Sequence, residues 1–452
     1  MGRRPTLVAQ TNVGPGIGAG HLGRCLALAE AWRSRGGDAT IVVPELPAPW
    51  DDRVAAAGLD WLPVAALPDG ADWYVADDYR MAGAERRALK ERGRLLVIDD
   101  FGESGPITAD VVLDQNAGAS AADYPAQRAL LGARYALLRS DLIELPARPA
   151  RPAIESVLVG LGGFPSTELQ AFADEVLDAW SPDADLVVLD GRQDVRNALL
   201  AADLAFAAAG SFCWELCRAG VPAVVVPVNR NQQRLSAGLV ASGAAVGVGA
   251  PAESNVSRTV AELIALSEGV GRRSAMGAAG RALVDGRGAA RVVAHLRSAL
   301  VTLRDVTAQD AAVLFEWAND PLTRSSSFNS SPIDWDTHVG WLSDRLRSSS
   351  ATQWIGSFDG QPIGLVRFDQ HEDRRADIGV TVAPSRRGEG WSAALIVAGS
   401  EQMFSSHGTT VVRAQIKPDN LGSIRAFEAA DFDERKSDDG TFVERVRRYG
   451  GA

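Results

Sequence analysis

Glycine occupies every second position from Gly14 to Gly20 in the stretch GPGIGAGHLGRC, which runs into His21, the sole histidine of the first 294 residues. Residues without a Cβ let the backbone come close to a ligand. The helix that such a turn feeds offers unbonded N–H groups and the positive end of its dipole. That combination suits an anion such as a diphosphate. An imidazole next to it can take a proton from water near neutral pH. The same histidine can equally bond a neighbouring carbonyl at a helix start. Spacing alone leaves both readings open, because the glycines do not follow the G-x-G-x-x-G pattern with an acidic residue on the next strand. A second turn, Arg387-Gly388-Glu389-Gly390-Trp391, also leads into a helical stretch. Cys213 and Cys217 can share a helix face, but they lack the further ligands a metal needs and read as small buried hydrophobes.

The elements that must position these residues form a repeating pattern. TLVAQ (6–10) precedes the first glycine turn, and HLGRCLALAEAWRSRGG carries Leu22, Cys25, Leu26, Ala29 and Trp32 at helical spacing. ATIVVP, WYVADD, RLLVIDD and DVVLD then follow as short apolar runs. Continuous apolar strands alternating with helices predict a parallel, doubly wound sheet. The proline-punctuated tract ELPARPARPA (144–153) predicts a linker, after which SVLVGLGG, DLVVLDG, ADLAFAAAGS and PAVVVPV restart the pattern. From about Leu303 the character changes to antiparallel, with a hairpin around Asp359-Gly360. The expected domains are 1–145, 154–290 and 302–450.

The segments GIGAGHLGRCLALAEAW, VADDY, LLVIDDF, DVVLDQNAG, LGARYALLRSD and AAGSFCWELCRAGVPAVVVPVNRNQ, in that order, resemble the UDP-sugar hydrolases of pseudaminic acid biosynthesis. Those enzymes are related to spore-coat polysaccharide proteins and to GT-B glycosyltransferases. The resemblance covers most of residues 5–290. It implies two doubly wound Rossmann-like domains with the substrate in the cleft between them. It further implies that His21 acts at the anomeric carbon as base on water, with Tyr79 and Asn231 in the site. By the same resemblance Glu215 holds the ribose, and Gly18, Gly20, Gly210, Ser211 and Gln232 line the nucleotide-sugar. Gln10, Asn12 and Phe212 stand where the family carries Arg, Asp and Thr.

APSRRGEGWSAALIVAGSEQMF (383–404) and IKPDNLGSIRAFEAADF (416–432) resemble the acetyl-CoA-binding motifs of GNAT N-acyltransferases. The resemblance implies a GNAT α/β domain that holds acetyl-CoA through Arg386, Arg387, Gly388, Gly390, Trp391, Asn420 and Ser423. Phe427 replaces the tyrosine that usually reprotonates the CoA thiolate. NDPLTRSSSF…IDWDTHVGWL (319–342) looks like the entry region of sugar-amine acetyltransferases, with His338 and Trp341 one helical turn apart. Asp377, on the strand before the turn, is a candidate base for the acceptor amine through water.

Composition bounds the function. Forty-six basic residues against 57 acidic give a net charge of −11, which argues against a nucleic-acid partner. No apolar run reaches membrane-spanning length, and three cysteines make no disulfide framework, so a cytoplasmic protein is expected. No metal is expected. The combined expectation is a bifunctional enzyme that N-acetylates a nucleotide-linked amino sugar with acetyl-CoA and hydrolyses the nucleotide away. A glycosyltransferase fused to a GNAT domain, or a fusion with one non-catalytic binding half, are the alternatives.

Overall fold

The structure is a computed structural model that describes residues 2–448, apart from 49, 104, 106, 126, 190–193 and 436–441. Two compact units make up the chain. The larger comprises residues 5–34 and 38–289; the smaller comprises residues 1–4, 35–37 and 290–452. The smaller unit therefore takes in the helix residues from Ala290 onward, ahead of the boundary at 302 expected from sequence.

Two parallel sheets build the larger unit. The first contains β1 Thr6–Thr11, β2 Asp38–Val43, β3 Asp60–Pro63, β4 Trp73–Asp77, β5 Arg94–Ile98, β6 Val111–Asp114 and β7 Ala129–Leu131. Their order is β3-β2-β1-β4-β5-β6-β7, every pair parallel. The second contains β8 Ser156–Gly160, β9 Asp185–Val188, β10 Leu204–Ala208, β11 Ala223–Val226 and β12 Val246–Gly247, in the order β12-β11-β10-β8-β9. Strands β4, β6, β10 and β11 are buried along their whole length, which is why their sequences are apolar runs without alternation. At the edge, β9 leaves Leu186 and Val188 exposed.

Strand order reverses between β1 and β4 in the first sheet and between β8 and β10 in the second. Ligands of open parallel sheets bind at the carboxyl ends of strands flanking such a reversal. Gly14–Gly20 follow β1, Tyr79 follows β4, Gly162 and Gly163 follow β8, and Gly210 and Ser211 follow β10. The residues singled out by sequence thus occupy both reversal points.

The smaller unit holds a mixed sheet of β13 Thr302–Asp305, β14 Ala351–Phe358, β15 Gln361–Gln370, β16 Arg375–Val382, β17 Val411–Ile416, β18 Asp433–Arg435 and β19 Val443–Arg448. Its order is β13-β14-β15-β16-β17-β19-β18. The β14–β15 hairpin turns at Asp359 (φ 51°) and Gly360 (φ 71°), left-handed at both positions as a two-residue turn requires. One pair interrupts the antiparallel order. Strands β16 and β17 run parallel and pair only from Arg375↔Val411 to Asp377↔Arg413. From residue 378 onward β16 pairs with β15 alone, leaving a notch between β16 and β17. The helix Trp391–Ser406 covers one face of this sheet, where Val366, Phe368, Ile396, Val397 and Met403 form the core.

Candidate active sites

In the larger unit the glycine loop folds back on itself. Gly18 N–H donates to the Gly14 carbonyl at 2.9 Å and Gly14 N–H to the Gly18 carbonyl at 3.3 Å. Gly14, Gly16 and Gly18 adopt φ of 143°, 72° and 88°, conformations that residues with a Cβ avoid. A Cβ at Gly14 or Gly18 would meet only open space, so the need there is conformational and the space around the loop is free. Gly20 is different: a Cβ there would lie 2.9 Å from the Ser211 hydroxyl. Its absence lets the start of the helix Gly20–Arg33 come up to the Gly210–Ser211 turn. Neither that helix nor the helix Phe212–Ala219 has a side-chain cap. Two helix starts with uncapped N–H groups therefore face one location, an arrangement that favours an anion.

His21, 4% exposed, lies directly behind this loop. Its Nδ1 is 2.6 Å from Asp77 Oδ1, at the end of β4. Arg24, one helical turn on, grips the same carboxylate in a fork, Nη2 to Oδ1 at 2.7 Å and Nε to Oδ2 at 2.9 Å. Burial alone would push Asp77 towards neutrality, but Arg24 and His21 outweigh it and hold the carboxyl below its usual range. An ionised Asp77 can only accept, so Nδ1 carries the proton of this contact, and in a neutral imidazole the lone pair is then on Nε2; Arg24 Nη2 lies 2.9 Å from the same Nδ1. No hydrogen bond among the described residues reaches Nε2. The imidazole is thus oriented as a base by a carboxylate that an arginine keeps charged.

The same arginine extends the network. Its Nη1 donates to Asp100 at 3.2 Å, just past β5, and burial between two carboxylates leaves its basicity above the ordinary arginine range. Asn116 donates to Asp100 at 2.5 Å and to Asp114 at 2.8 Å. The Tyr79 hydroxyl donates to Asp100, and its ring stands edge-on to His21 with centroids 4.4 Å apart. The sequence reading names His21 and Tyr79 of this network and does not name Arg24, Asp77, Asp100 and Asn116.

Deeper in the network a proton is shared. The Tyr124 hydroxyl lies 2.8 Å from Asp99 Oδ2 and 2.9 Å from Asp114 Oδ2 while accepting from Gly102 N–H at 2.9 Å. Asp114 Oδ2 also accepts the Phe101 N–H at 2.8 Å. Burial, reinforced by Asp100, pushes the Asp114 pKa up to about 6. The unfolded carboxyl releases its proton near ~3.9. Stability from this group is therefore fully present below ~pH 4 and is lost as pH rises through 6. Denaturant titrations across that range should show the unfolding free energy of the native chain falling with pH. Asp114→Asn, which keeps a neutral group, should flatten the slope. An unchanged slope in the variant would place the proton elsewhere.

In the second half of the unit, Glu215 is half-buried on the helix Phe212–Ala219. Burial raises its pKa to about 6 against the pull of Arg139 and Arg53, so it is not a solvated surface carboxylate. Phe212 lies against Gly160, where a Cβ would be 2.7 Å from its ring. Gln232 is engaged, its Oε1 accepting the Val228 N–H at 3.0 Å, which assigns its carbonyl to bracing the helix Arg230–Ala241. Asn231 is half-buried at the start of that helix. The helix packs against the strand ends of the first sheet through Arg234, which donates to the Phe101 carbonyl and to Asp123, both at 3.0 Å.

In the smaller unit the turn after β16 presents Gly388 (φ 78°) and Gly390 (φ 75°), followed by the helix Trp391–Ser406 with no side-chain cap. Nothing would contact a Cβ on Gly388. Uncapped N–H groups and open space again suit a phosphate. Several side chains expected here have other work. Trp391 is 1% exposed, stacked near Phe358 and bonded to Glu389 at 3.0 Å; it is core, not cofactor surface. Arg386 folds onto Glu389 at 2.9 Å, and Arg387 is paired with Asp320 at 2.6 Å. Asn420 caps its helix by accepting the Ser423 N–H at 3.1 Å. Phe427 is buried against Phe432, so no hydroxyl is available at that position.

Two acceptor-side expectations are also corrected. Asp377 is clamped by Arg413 at 2.8 and 2.7 Å and by His371 at 3.1 Å. Burial raises its pKa, the contacts with Arg413 and His371 more than reverse that, and the result is a carboxylate already committed to two partners. His338 is 2% exposed, with Nε2 donating to the Ala311 carbonyl at 2.9 Å, and burial lowers its pKa. It joins two helices instead of lining a pocket.

Residues 301–433 match the family model of the acetyltransferase (GNAT) domain. The chain is 27% identical over 159 residues to the aminoglycoside N(6')-acetyltransferase type 1 of Klebsiella pneumoniae and to that of Serratia marcescens, covering 30% of this chain and 75% of each relative. Among solved structures, the aminoglycoside acetyltransferase AAC(6')-Ib in complex with coenzyme A is 25% identical, with 33% of this chain and 94% of that one covered and a TM-score of 0.30. The spermidine N-acetyltransferase from Vibrio cholerae in complex with CoA and spermine is 18% identical over the same shares, also at a TM-score of 0.30. The C-terminal part of this chain is a GNAT acetyltransferase domain, and the chain is an enzyme to that extent. Acetyl-CoA is the co-substrate that an acetyltransferase (GNAT) domain implies. Among the described residues, no group of side chains is placed to hold a metal ion, and no helix is long and apolar enough to cross a membrane.

Proposed function

We propose that the chain is a bifunctional, cytoplasmic nucleotide-sugar enzyme with domains at 1–145, 154–290 and 302–450. The GNAT domain acetylates the amine of a nucleotide-linked amino sugar. The two N-terminal domains, GT-B-like, bind the nucleotide-sugar in their cleft and hydrolyse it to free sugar and nucleotide. The observation that carries the hydrolytic reading is the His21–Asp77–Arg24 arrangement behind a glycine loop where two uncapped helix starts meet. Water attacks the anomeric carbon, His21 Nε2 takes its proton, and the C–O bond to the diphosphate breaks. Gly18, Gly20, Gly210 and Ser211 cradle the diphosphate, with Glu215 at the ribose and Tyr79 and Asn231 at the sugar. An amine acceptor for the GNAT domain is supported by the aminoglycoside and spermidine acetyltransferases to which it is similar. Three buried free cysteines support a reducing compartment.

The test supplies nucleotide-linked amino sugars with acetyl-CoA and reads products by mass spectrometry. Acetylated free sugar and nucleotide should accumulate without any added acceptor; nucleotide release only when a second sugar or lipid is supplied would make the unit a glycosyltransferase. His21→Asn keeps a hydrogen-bonding group but no base. It should lower kcat of hydrolysis about 10²–10⁴-fold with little change in nucleotide affinity, and near-native turnover would return His21 to the role of a helix-start residue.

A further inference from the structure

The wall of the notch between β16 and β17 carries a solvent-accessible cation, Arg367, set against an aromatic ring. Arg367 on β15 is in register with Gly379, two residues beyond the last β16–β17 pair. Its side chain lies across that glycine, where a Cβ would come within 2.6 Å of Nε. Its guanidinium is 5.8 Å from the centre of the Trp341 ring, and Arg345 flanks the same ring at 5.9 Å. Among the described residues no carboxylate or carbonyl bonds Arg367. Arg367 is exposed; crowding by the surrounding chain and the neighbouring Arg345 lower its basicity against the pull of Asp369, and an arriving anion would add to that pull.

The surroundings have the same sign. Arg324 donates to the carbonyls of Ala318, Asn329 and Ser331 and to the Ser327 hydroxyl, all neutral acceptors. Lys417, one residue past β17 on the other wall, donates to the Ser325 carbonyl at 3.1 Å. The carboxylates of this face are already engaged: Asp369 by Arg345, Asp377 by Arg413 and His371, Asp320 by Arg387. A polycationic amine entering here would meet these cations, with Asp369, Asp377 and Asp320 already paired. An amine carrying a phosphate would find Arg367.

The thioester position follows from the cofactor turn. A cofactor with its pyrophosphate at the turn after β16 would have the open edge of residues 378–382 beside it, and Arg367 stands at the level of Gly379 on that edge. We infer that Arg367 is a specificity-determining residue of the acetyltransferase site, reading a phosphate on the amine-bearing acceptor. This deepens, and rests on, the proposed acetylation of a nucleotide-linked amino sugar.

The experiment measures acetylation by the full chain of glucosamine, its phosphate ester, UDP-glucosamine and spermidine, with Arg367→Gln and Arg367→Lys beside the native protein. The native chain should prefer one or both phosphorylated amines over glucosamine and spermidine. Arg367→Gln should raise KM for the phosphorylated amines at least about tenfold and leave KM for glucosamine within about twofold. Acetyl-CoA affinity, read by calorimetry, should not change, and this also reports that the domain is folded. Arg367→Lys should recover part of the preference. A native preference for spermidine overturns the proposal, as does an equal KM change for charged and uncharged amines, or a loss confined to acetyl-CoA binding. Preference for the phosphate ester with no use of UDP-glucosamine keeps the role of Arg367 but removes the nucleotide-linked acceptor, so the two readings fail separately.

Discussion

If the larger unit hydrolyses a nucleotide-sugar as proposed, Asp77→Asn should lower that turnover by about 10³–10⁴-fold, more than any other single change outside His21 itself. The carboxylate acts on two neighbours at once. Through Oδ1 it accepts the Nδ1 proton of His21 at 2.6 Å and so fixes the tautomer whose Nε2 is the base. An asparagine amide can present its NH₂ there instead, which turns the imidazole over to the wrong tautomer at nearly unchanged geometry. Turnover measured with saturating substrate should fall by the stated factor while nucleotide affinity holds. The second consequence is for stability. Arg24 is 4% exposed and loses its forked partner, keeping only Asp100. Removing one member of a buried pair costs about 3–5 kcal/mol, and the surviving carboxylate should keep the loss near the lower figure. Asp100→Asn separates the two effects. It leaves the His21–Asp77 contact and the Arg24–Asp77 fork in place and weakens the bonds of Arg24 Nη1, Tyr79 and Asn116 to residue 100, so it should destabilise comparably and slow turnover far less. Equal losses of turnover in the two variants would mean that the carboxylates serve folding alone.

What the sequence disclosed and what it hid divide along physical lines. Strands β4, β5, β6 and β10 were legible because a strand buried on both faces has to be apolar throughout, and VADD, VIDD and VLDQN broadcast that. The same strings end in aspartates at strand termini, a signal that could have pointed to Asp77, Asp100 and Asp114. Their convergence is what local pattern cannot express. Asp77 and Asp100 are brought together only because β4 and β5 are neighbours in the sheet, and Arg24 reads as an ordinary helix arginine until that sheet is closed beneath it. The glycine turns were legible for a different reason, since a left-handed backbone leaves few residue choices. Single side chains in the GNAT domain were the least legible. Asp377 looked free on its strand, yet Arg413, 36 residues later, is its register partner. Trp391 and His338 are polar-edged aromatics with a ring N–H that found an internal partner, which spacing cannot foresee. Arg367 went unread because its distinction is the partner it lacks.

Gly388→Asp should weaken acetyl-CoA binding about 10–10³-fold. The choice of glycine matters. Gly390 has φ of 75° and is crowded, with a Cβ there 2.7 Å from Arg35 Cβ and 3.3 Å from Arg297 Nη1, so any side chain would disturb packing before it met a ligand. Gly388 has φ of 78° but open space around the missing Cβ. Substitution there tests backbone conformation and charge without a clash. These two can be separated, because aspartate tolerates the left-handed region better than alanine does. If only conformation counts, Gly388→Ala should be the worse variant, at about 1–2 kcal/mol of strain. If the turn holds a pyrophosphate, Gly388→Asp should be the worse one. Two like charges about 4 Å apart repel by about 1 kcal/mol in water and about 4 kcal/mol near a protein surface, and at about 1.4 kcal/mol per decade this spans the stated range. Calorimetry of acetyl-CoA against the native chain and both variants reads the difference directly. The penalty of the aspartate should shrink as salt is raised, since the charges are close to solvent, whereas alanine's should not move. Equal affinities for the two variants, at low and high salt alike, would remove the anion from this turn.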